Sequence, residues 1–319
     1  TGYILYTAAP GAAISGGVNI SASYVIVRGL TIKGGSSHAV SVTGNHVILE
    51  RNDISGWGPA CSGHTPCGEL IAGVQLNTSS QVTIQRNKIH HPAGNANDSC
   101  DPSDYTHPKG PRAVSSSPGA VNNVIRYNDI YSDMDHLFND TMGNNNNFSY
   151  GGFPNRDTDI NGNIFSYSAD DNPELEGANM NVRFWGNFVD RSFTGPATGS
   201  VALGPIYIFR NVGGLSSKCI RSAGGFGKPG EHGPFNKTGD SGGVGGGREY
   251  MFNNTILQPG GSGGFANGIA DYAGPITNHI SRNNIWTSGC YSSDSGGSND
   301  FDFDLCNSGG GSHNVSGKP

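Results

Sequence analysis

The stretch SADDNPELEG, residues 168–177, places four carboxylates within seven positions: Asp170, Asp171, Glu174 and Glu176. The rest of the chain is sparing with charge, since only 14% of its 319 residues are charged. Like charges this close repel one another, which raises the pKa of some of the group. A raised carboxyl pKa suits a general acid, and a dense set of carboxylate oxygens suits a divalent cation.

The alternation of side chains along a strand decides which of these residues share a face. Glu174 and Glu176 are two positions apart, so they share one face and Leu175 takes the other. Transfer of two ionised carboxylates into an apolar core carries a prohibitive desolvation cost. We therefore predict that Leu175 faces the core and that both glutamates face solvent or a cleft.

A histidine among carboxylates is the second chemical feature of the sequence. His136 lies in YSDMDHLFND, residues 131–140, close to Asp133, Asp135 and Asp140. Nearby negative charge raises the pKa of an imidazole. His136 is therefore a candidate proton donor, or a cation that binds an acidic group.

A repeat along the chain indicates which elements position these residues. A phrase of two short strands with alternating apolar residues, joined at a turn residue, returns nine times. Its copies are VIVRGLTI (25–32), VILERNDI (47–54), VTIQRNKI (82–89), NVIRYNDI (123–130), TDINGNIF (158–165), VRFWGNFV (182–189), IYIFRNVG (206–213), EYMFNNTI (249–256) and NHISRNNI (278–285).

The turn position of the repeat is a glycine in the first copy and an asparagine in the others. Both residues tolerate a left-handed backbone, and the Asn side chain also hydrogen-bonds neighbouring main chain. These positions are Gly29, Asn52, Asn87, Asn128, Asn163, Asn187, Asn211, Asn254 and Asn283. The shortest intervals, near 24 residues, match one coil of a parallel β-helix, and longer intervals contain inserted loops. Stacked copies are predicted to form an asparagine ladder.

Counting from the turn residue brings the chemical features together. Asp135 and His136 lie seven and eight residues after Asn128, and Asp170 and Asp171 lie seven and eight after Asn163. Stacked strands are about 4.8 Å apart, so the four side chains are predicted to form one patch in adjacent coils. The equivalent position two coils further on is Lys218, with Arg221 close behind it.

This repeat resembles the single-stranded right-handed parallel β-helix proteins, the pectate-lyase-like superfamily, over about residues 20–290. The resemblance implies an all-β solenoid of about nine coils with long inserted loops. One domain is expected over residues 1–319, with a Gly/Ser-rich C-terminal cap at 291–319. The architecture also hosts hydrolases, epimerases, tailspikes and adhesins, so it does not by itself fix a function.

Three interpretations of the acidic segment remain open. In the first, a secreted polysaccharide lyase holds Ca²⁺ on Asp170, Asp171 and Glu174 and cleaves a uronate-containing glycan by β-elimination. In the second, a pair of carboxylates hydrolyses a glycosidic bond. In the third, the acidic residues lie on a solvated turn of a non-catalytic adhesin, coat or filament subunit. The resemblance favours the lyase over the hydrolase.

Local motifs do not assign the roles, because the signatures of pectate lyases and the NTD, GHG and RIK combination of polygalacturonases are missing. The candidate residues are chosen only by their position in the coil, counted from the turn residue. The candidate catalytic residues are Asp135, His136, Asp170, Asp171, Glu176 and Arg221. The candidate substrate-binding residues are Arg156, Arg183, Tyr207, Arg210 and Lys218, since a β-elimination needs positive charge near the uronate.

Composition narrows the partners and the compartment. The net charge is −6, which disfavours nucleic acid, and no apolar run reaches the length of a membrane span. Six cysteines in Gly/Ser-rich loops indicate disulfides and secretion, with Cys61–Cys67, Cys290–Cys306 and Cys100–Cys219 as the predicted pairs. The start at Thr1 is expected to be a cleavage product.

The sequence does not decide whether the protein is glycosylated or how the two ends of the β-helix are covered. Eight N-x-S/T sequons are candidate glycosylation sites, although a chain rich in Asn, Ser and Thr produces several by composition alone. The sequence also leaves open whether both ends of the β-helix are capped or whether molecules associate end to end.

Overall fold

The computed structural model describes residues 2–9, 11–61, 65–98, 107–221, 233–240, 244–257, 267–271, 274–292, 297–308 and 311–317. These residues form strands and turns. In these ranges we find no helix of the length and apolarity that crossing a membrane requires.

Three sheets of stacked strands run along the molecule. The strands of the first sheet, in spatial order, are Ile4–Thr7, Val25–Arg28, Val47–Glu50, Thr83–Gln85, Val124–Arg126, Asp159–Asn161, Val182–Trp185, Ile206–Phe209, Glu249–Phe252, His279–Arg282 and Asp300–Phe301. Every pairing between neighbours in this sheet is parallel, so each coil of the chain adds one strand.

The second sheet follows the first around the coil, after the turn residue of each repeat. Its strands, in spatial order, are Ala13–Ser15, Thr31–Lys33, Asp53–Ser55, Lys88–His90, Asp129–Tyr131, Ile164–Ser166, Phe188–Asp190, Val212–Gly213, Thr255–Ile256, Ile285–Tyr291, Asn267–Asp271, Asn236–Thr238 and Ala197–Thr198. Leu305–Ser308 also pairs with Ile285–Tyr291, and Val315–Ser316 pairs with Leu305–Ser308. Strands thus continue past residue 290, in the segment predicted to be a cap.

The third sheet closes the coil on the remaining side. Its strands are Val18–Ile20, Val40–Val42, Ala72–Leu76, Arg112–Ser116 and Met142–Gly143. Glu174, Ala197–Thr198 and Asn236–Thr238 continue this face in the later coils, because Glu174 bonds to Met142 and pairs with Ala197. We call this continuous surface the third face.

Apolar side chains at alternate strand positions fill the interior. In the second sheet Ile54, Ile89, Ile130 and Phe165 lie in register in successive coils, and all are fully buried. Burial of an aliphatic or aromatic side chain of this size contributes about 1.5–3 kcal/mol. The period-2 pattern of the sequence therefore produces a continuous apolar column, as predicted for a parallel β-helix.

The asparagine ladder predicted from the repeat is present. Within it, Asn163 Nδ2 donates to Asn187 Oδ1 at 3.1 Å and to the Ile125 carbonyl at 3.0 Å, and Asn163 Oδ1 accepts from Asn128 N at 3.0 Å. The same bonds link Asn52, Asn87, Asn128, Asn163, Asn187, Asn211, Asn254 and Asn284. Each amide thus satisfies buried main-chain groups of its neighbouring coils.

Two details of the predicted ladder are wrong. Asn284, not Asn283, accepts from Asn254, at 2.9 Å. The left-handed backbone also belongs to the residue before each ladder position: φ is 54° at Arg51, 55° at Asn283 and 69° at Gly29. The turn residue bends the chain from the first sheet into the second, and the next residue places its amide in the ladder. The two properties that the sequence analysis assigned to one residue are thus divided between neighbours.

We expect Asn163→Ala to lower the free energy of unfolding by about 2–4 kcal/mol, because it leaves several buried main-chain and amide groups without partners. Chemical denaturation monitored by circular dichroism measures this change. Asn45→Ala is the matched control, since Asn45 is exposed and its side-chain oxygen accepts from the amide and the hydroxyl of Ser80. Equal effects of the two substitutions would contradict a structural role of the ladder.

Two of the predicted disulfides are confirmed. Cys61 bonds to Cys67 and Cys290 bonds to Cys306, with Cα–Cα distances of 5.9 and 5.4 Å. The third predicted pair involves Cys100, which lies outside the described residues. The second bond joins the strands Ile285–Tyr291 and Leu305–Ser308, so it fastens the last coils together.

A buried carboxyl and a buried imidazole face each other inside the coil. Glu249 and His279 are paired in register, and Glu249 Oε2 lies 3.6 Å from His279 Nδ1. Burial raises the pKa of Glu249 to about 8, against the hydrogen bonds from Thr198 and Thr238 that lower it. Burial also lowers the pKa of His279 to about 3. Both side chains are therefore neutral near neutral pH.

We expect Glu249→Gln to make the free energy of unfolding depend less on pH on the alkaline side. The pKa of Glu249 is higher in the folded state than its ordinary 4.5, so its stabilising contribution is complete below that value. The contribution is lost as the pH rises through about 8. The melting temperature of the native protein should thus fall more steeply from acidic to alkaline pH than that of the variant. Parallel profiles would show that Glu249 ionises normally.

Candidate functional site

The third face, and the turn that leads into it, position the candidate site. Glu174 pairs with Ala197 of the next coil, and Ala197 pairs in register with Lys237 of the coil after that. In the other direction the Glu174 amide donates to the carbonyl of Met142, whose strand pairs with the strand that begins at Arg112. Coil stacking thus brings together residues that are far apart in the sequence.

Five carboxylates of the described residues are buried in this region. Asp140, Asp171 and Glu174 each present one oxygen, and these three atoms lie within 4.8 Å of one another. Asp170 and Glu176 are buried beside them, each less than 5% exposed. We call these five residues the acidic cluster.

Two cations from other coils enter the acidic cluster. Arg112 donates from Nε and Nη2 to Asp140 Oδ2 at 3.0 and 2.9 Å, and its Nη2 lies 3.3 Å from Glu174 Oε2. Lys237 Nζ lies 2.6 Å from Asp171 Oδ2 and 3.4 Å from Glu176 Oε1. The side chains of Arg112 and Lys237 are only 5% and 12% exposed, so their charges act at short range with little screening by water.

These cations explain why one prediction for the PELEG segment is only half right. Leu175 packs in the core, as predicted. Glu174 and Glu176 are 5% and 3% exposed instead of facing solvent. Burial of a carboxylate is tolerated where a cation and hydrogen bonds compensate it. Arg112 and Lys237 supply that compensation, and the local sequence gives no sign of either.

Arg112 and Lys237 neutralise only part of the negative charge of the acidic cluster. If all are ionised, the five carboxylates exceed the charge of Arg112 and Lys237 by three negative charges. Burial, followed by the charge of Asp171, raises the pKa of Asp170 to about 7, although Lys237 and the nearby His107 lower it. Burial likewise raises the pKa of Asp140, Glu174 and Glu176. Asp170 is therefore partly protonated near neutral pH unless another cation replaces the proton.

Close packing, in addition to charge, determines the arrangement of the acidic cluster. Gly143 lies in register with Ser115, and a Cβ atom on Gly143 would lie 2.2 Å from Glu174 Oε2. Asn147 donates its side-chain amide to the other oxygen of Glu174. Thr194 Oγ1 donates to Asp171 Oδ1 at 2.8 Å. Each of these carboxylates is thus held in one orientation by neutral groups.

The donor set fits a divalent cation with hard oxygen ligands. Ca²⁺ takes six to eight oxygens, mainly from carboxylates and carbonyls. Three buried carboxylate oxygens within 4.8 Å of one another, in a cluster with excess negative charge, provide the core of such a set. Asp140, Asp171 and Glu174 would hold the ion. The sequence nominated Asp171 and Glu174 for this role, and the structure adds Asp140, with Asp170 adjacent.

The predicted patch of Asp135 and His136 with Asp170 and Asp171 is wrong in its register. Phe138 pairs with Ser168, and the Asp170 amide bonds to the Asn139 carbonyl at 3.0 Å. Asp140 therefore takes the position predicted for Asp135. A turn before Phe138 adds residues to this coil, so a fixed count from the ladder does not transfer to the next coil.

Asp135 and His136 lie in that turn, away from the acidic cluster. His136 Nδ1 bonds to Asp133 Oδ1 at 2.9 Å, and Asp133 also lies 3.4 Å from His91 Nε2. Asp135 is exposed, and its amide bonds to Asp133. His136 is thus close to a carboxylate, as expected, but the carboxylate is Asp133.

The predicted substrate-binding residues of the first sheet lie on a different face from the acidic cluster. Arg183 and Tyr207 are in register, as predicted from their common phase. Arg183 is paired with Asp159, with Nη2 2.8 Å from Oδ2, and Tyr207 stacks on Tyr250. Arg156 and Arg210 are both exposed, and Arg210 occupies a left-handed turn position.

The other two predicted cations lie two coils beyond the acidic segment. Arg221 donates to the carbonyls of Ala96 and Met134 at 3.0 and 3.1 Å, and its amide bonds to Asp98. These contacts tie loops of three coils together. Lys218 Nζ lies 5.9 Å from the ring centre of Phe193.

Arg112 and Lys237 are the residues that sequence reasoning missed. Both lie inside long intervals between repeats, at 91–122 and 214–247, that read as loops. The structure shows that these intervals contain strands of the third face. Asp140 is the last residue of the YSDMDHLFND segment, which the sequence analysis identified as a candidate site because of His136. The sequence therefore contained a signal for Asp140, although its role was not predicted.

No family model matches the chain, and no curated protein matches it. The crystal structure of an alginate lyase from Paenibacillus sp. str. FPU-7 has a TM-score of 0.64 at 12% identity, over 93% of this chain and 91% of that chain. The crystal structure of pectate lyase Pel9A has a TM-score of 0.55 at 15% identity, over 93% of this chain and 69% of that chain.

A third structure is less similar. The Dettilon tailspike protein (gp208) has a TM-score of 0.39 at 12% identity, over 90% of this chain and 60% of that chain. The likeness to the two lyase structures shows the fold alone, and the parallel strand pairing described above agrees with it. The chain has a parallel β-helix fold.

Proposed function

We propose that this protein is a secreted polysaccharide lyase that cleaves a uronate-containing glycan by β-elimination at the acidic cluster. The observation that carries the proposal is Lys237, whose largely covered amine is held between Asp171 and Glu176 at the edge of a site rich in oxygen ligands. The alginate and pectate lyase neighbours support a fold that accommodates such chemistry. The disulfides agree with an extracellular location.

The reaction sets three requirements. A base removes the proton from C5 of the uronate, whose carboxylate must be neutralised so that the adjacent carbon becomes acidic. The C4–C5 double bond then forms as the C4–O bond to the leaving sugar breaks, and the leaving oxygen takes a proton. No water enters the products, so the new end of one fragment is an unsaturated uronate.

Lys237 is the proposed base, because it is the only amine within contact distance of the cluster among the described residues. Burial lowers its pKa, but Asp171, Glu176 and Asp170 outweigh burial and raise the pKa well above its usual value. Its proton is therefore held by the surrounding carboxylates. Only the neutral amine can take up the C5 proton, so the ammonium would first release its own proton to solvent, a release that neutralisation of the surrounding carboxylates would favour.

A divalent cation on Asp140, Asp171 and Glu174 would supply positive charge for the uronate carboxylate and satisfy the carboxylates around Lys237. Arg112 fixes the orientation of Asp140 and Glu174 through its two ion pairs. Asp171 orients Lys237, and Thr194 orients Asp171. Each proposed role thus rests on a contact within the cluster.

Hydrolysis is the second candidate, and one observation favours it. Asp170 has a pKa of about 7, which suits a general acid that protonates a glycosidic oxygen. A hydrolase would use Asp170 with a second carboxylate of the cluster and would add water to the products. The two reactions therefore differ in the chemistry of the new chain ends.

Incubation with acidic and neutral polysaccharides, with and without EDTA, tests the proposal. We expect ultraviolet absorbance from unsaturated uronates, together with new reducing ends, and we expect EDTA to abolish both signals. Reducing ends without absorbance would show the hydrolase instead. If neither signal appears with any of the polysaccharides, the result would contradict an enzymatic function and favour a non-catalytic β-helix.

A further inference from the structure

A groove of about 290 Å³ runs along the third face beside the acidic cluster, toward the N-terminal coils. It begins at Arg112, whose Nη1 donates to Asn145 Oδ1 at 3.1 Å. Asn147, which follows the groove residues Asn144 to Asn146 in the chain, donates to Glu174 of the cluster. A glycan bound at the cluster and extending along the coils would therefore enter this groove.

Most lining residues of the groove carry uncharged hydrogen-bonding groups, and Leu70 and Pro118 are apolar. Its amide and hydroxyl residues are Gln75, Asn77, Ser115, Ser116, Ser117, Asn144, Asn145 and Asn146. Arg112 is the one charged residue among the described lining residues, and its guanidinium is already paired with Asp140 and Glu174. Amides and hydroxyls are the natural partners of sugar hydroxyls, whereas they cannot neutralise a carboxylate.

The histidine of the groove adds no positive charge. His38 Nδ1 accepts a hydrogen bond from the Ala72 amide at 3.0 Å, which leaves Nε2 as the ring donor. Burial lowers the pKa of His38, against that hydrogen bond, so the ring is neutral at neutral pH. The segments 62–64 and 99–106, which lie between strands of this region in the chain, contain no Lys or Arg in their sequence.

We propose that this groove binds an uncharged sugar unit, so that the substrate is a heteropolysaccharide in which neutral sugars flank the uronate. The inference rests on the proposed function for the uronate itself. A homopolymer of uronate would place further carboxylates against amides and hydroxyls, next to a cluster with excess negative charge. Each would lose hydration without gaining a cation, which opposes binding.

The loop that lines the groove also exposes two aromatic rings. Phe148 and Tyr150 follow Asn144 to Asn146 and are 54% and 68% exposed. Aromatic rings pack against the apolar faces of sugars without regard to charge. This loop therefore combines both kinds of contact that a neutral sugar uses.

Two parallel measurements test the proposal. Initial rates are compared on an alternating uronate–neutral sugar polymer, polygalacturonate and polymannuronate, and binding of oligosaccharides from each is measured with the Lys237→Arg variant, which keeps the positive charge between Asp171 and Glu176. We expect at least about a tenfold preference for the alternating polymer in either measurement, equivalent to about 1.4 kcal/mol. Equal or greater preference for a homopolymer of uronate would overturn the inference.

Binding separates this inference from the proposed function. If nothing is cleaved but the alternating oligosaccharide binds preferentially, the groove inference stands and the lyase proposal fails. If nothing is cleaved and none of the oligosaccharides binds, both fail. If a homopolymer is cleaved preferentially with the formation of unsaturated ends, the lyase proposal stands and the groove inference fails.

A charge introduced into the groove gives a second test. Asn146→Lys places a cation in the lining, while the hydrogen bond from its main-chain amide to Asn144 is preserved. We expect this variant to reduce the preference for the alternating polymer several-fold. Asn307→Lys is the matched control, because Asn307 is exposed in a strand of the last coils and should leave the preference unchanged. An unchanged preference in Asn146→Lys would contradict recognition by this groove.

Discussion

Replacement of Lys237 by methionine is expected to lower the rate of glycan cleavage by about 10²–10⁴-fold, the usual contribution of a positioned acid or base. Methionine retains most of the volume of lysine but cannot take up a proton. The loss should appear in kcat, because the base acts in the transition state. Initial rates of unsaturated-uronate formation over a range of substrate concentrations measure the effect.

Charge and proton transfer can be separated at this position. Lys237→Met leaves Asp171 and Glu176 without their cation, which can destabilise the fold. Lys237→Arg retains the positive charge, but a guanidinium does not lose its proton in a protein. We expect Lys237→Arg to fold and to bind oligosaccharide, yet to be as inactive as Lys237→Met. An active arginine variant would show that charge alone is required and that the base lies elsewhere.

A second lysine provides the control. Lys218 lies in the same coil interval as Lys237 and was the predicted equivalent position after the ladder. Its amine packs over the Phe193 ring, whereas the amine of Lys237 reaches Asp171. Lys218→Met should therefore reduce cleavage far less than Lys237→Met.

The architecture could be predicted from the sequence because its signals are local. Alternating apolar residues and a recurrent asparagine each report on a few consecutive positions, and every coil repeats them. Even the correction at Asn284 is a shift by one residue within a recognised phrase. The third face was missed, because its strands Ala72–Leu76 and Arg112–Ser116 lie inside intervals without the phrase.

The site could be predicted only in part, because it depends on contacts between coils. The acidic segment 168–177 is dense enough in charge to be recognised alone. Its partners are set by register, which depends on the length of each inserted turn. Asp140 replaces Asp135 because Phe138 pairs with Ser168. Lys237 reaches Asp171 across 66 positions of sequence, a separation that no local pattern encodes.

Removal of divalent cations is expected to abolish cleavage and to lower the melting temperature by about 5 °C, with recovery of both on addition of Ca²⁺. A ligand at a hundredfold excess over its Kd stabilises the folded state by about 2.7 kcal/mol, and for a chain of this size that corresponds to a few degrees per kcal/mol. The shift arises because the acidic cluster loses repulsion when its excess negative charge is neutralised.

Asp171→Asn separates the bound ion from nonspecific effects of salt. Asp171 provides one of the three clustered oxygens, so the variant should lose most of the Ca²⁺-dependent increase in melting temperature. Asp133→Asn is the matched control, since Asp133 is a partly exposed carboxylate beside His136, outside the cluster. The Ca²⁺ concentration required by the native protein should also rise as the pH falls below about 7, because protons compete for Asp170 and its neighbours. If Asp171→Asn responds to Ca²⁺ as the native protein does, the ion binds elsewhere, and the cluster serves acid and base chemistry without it.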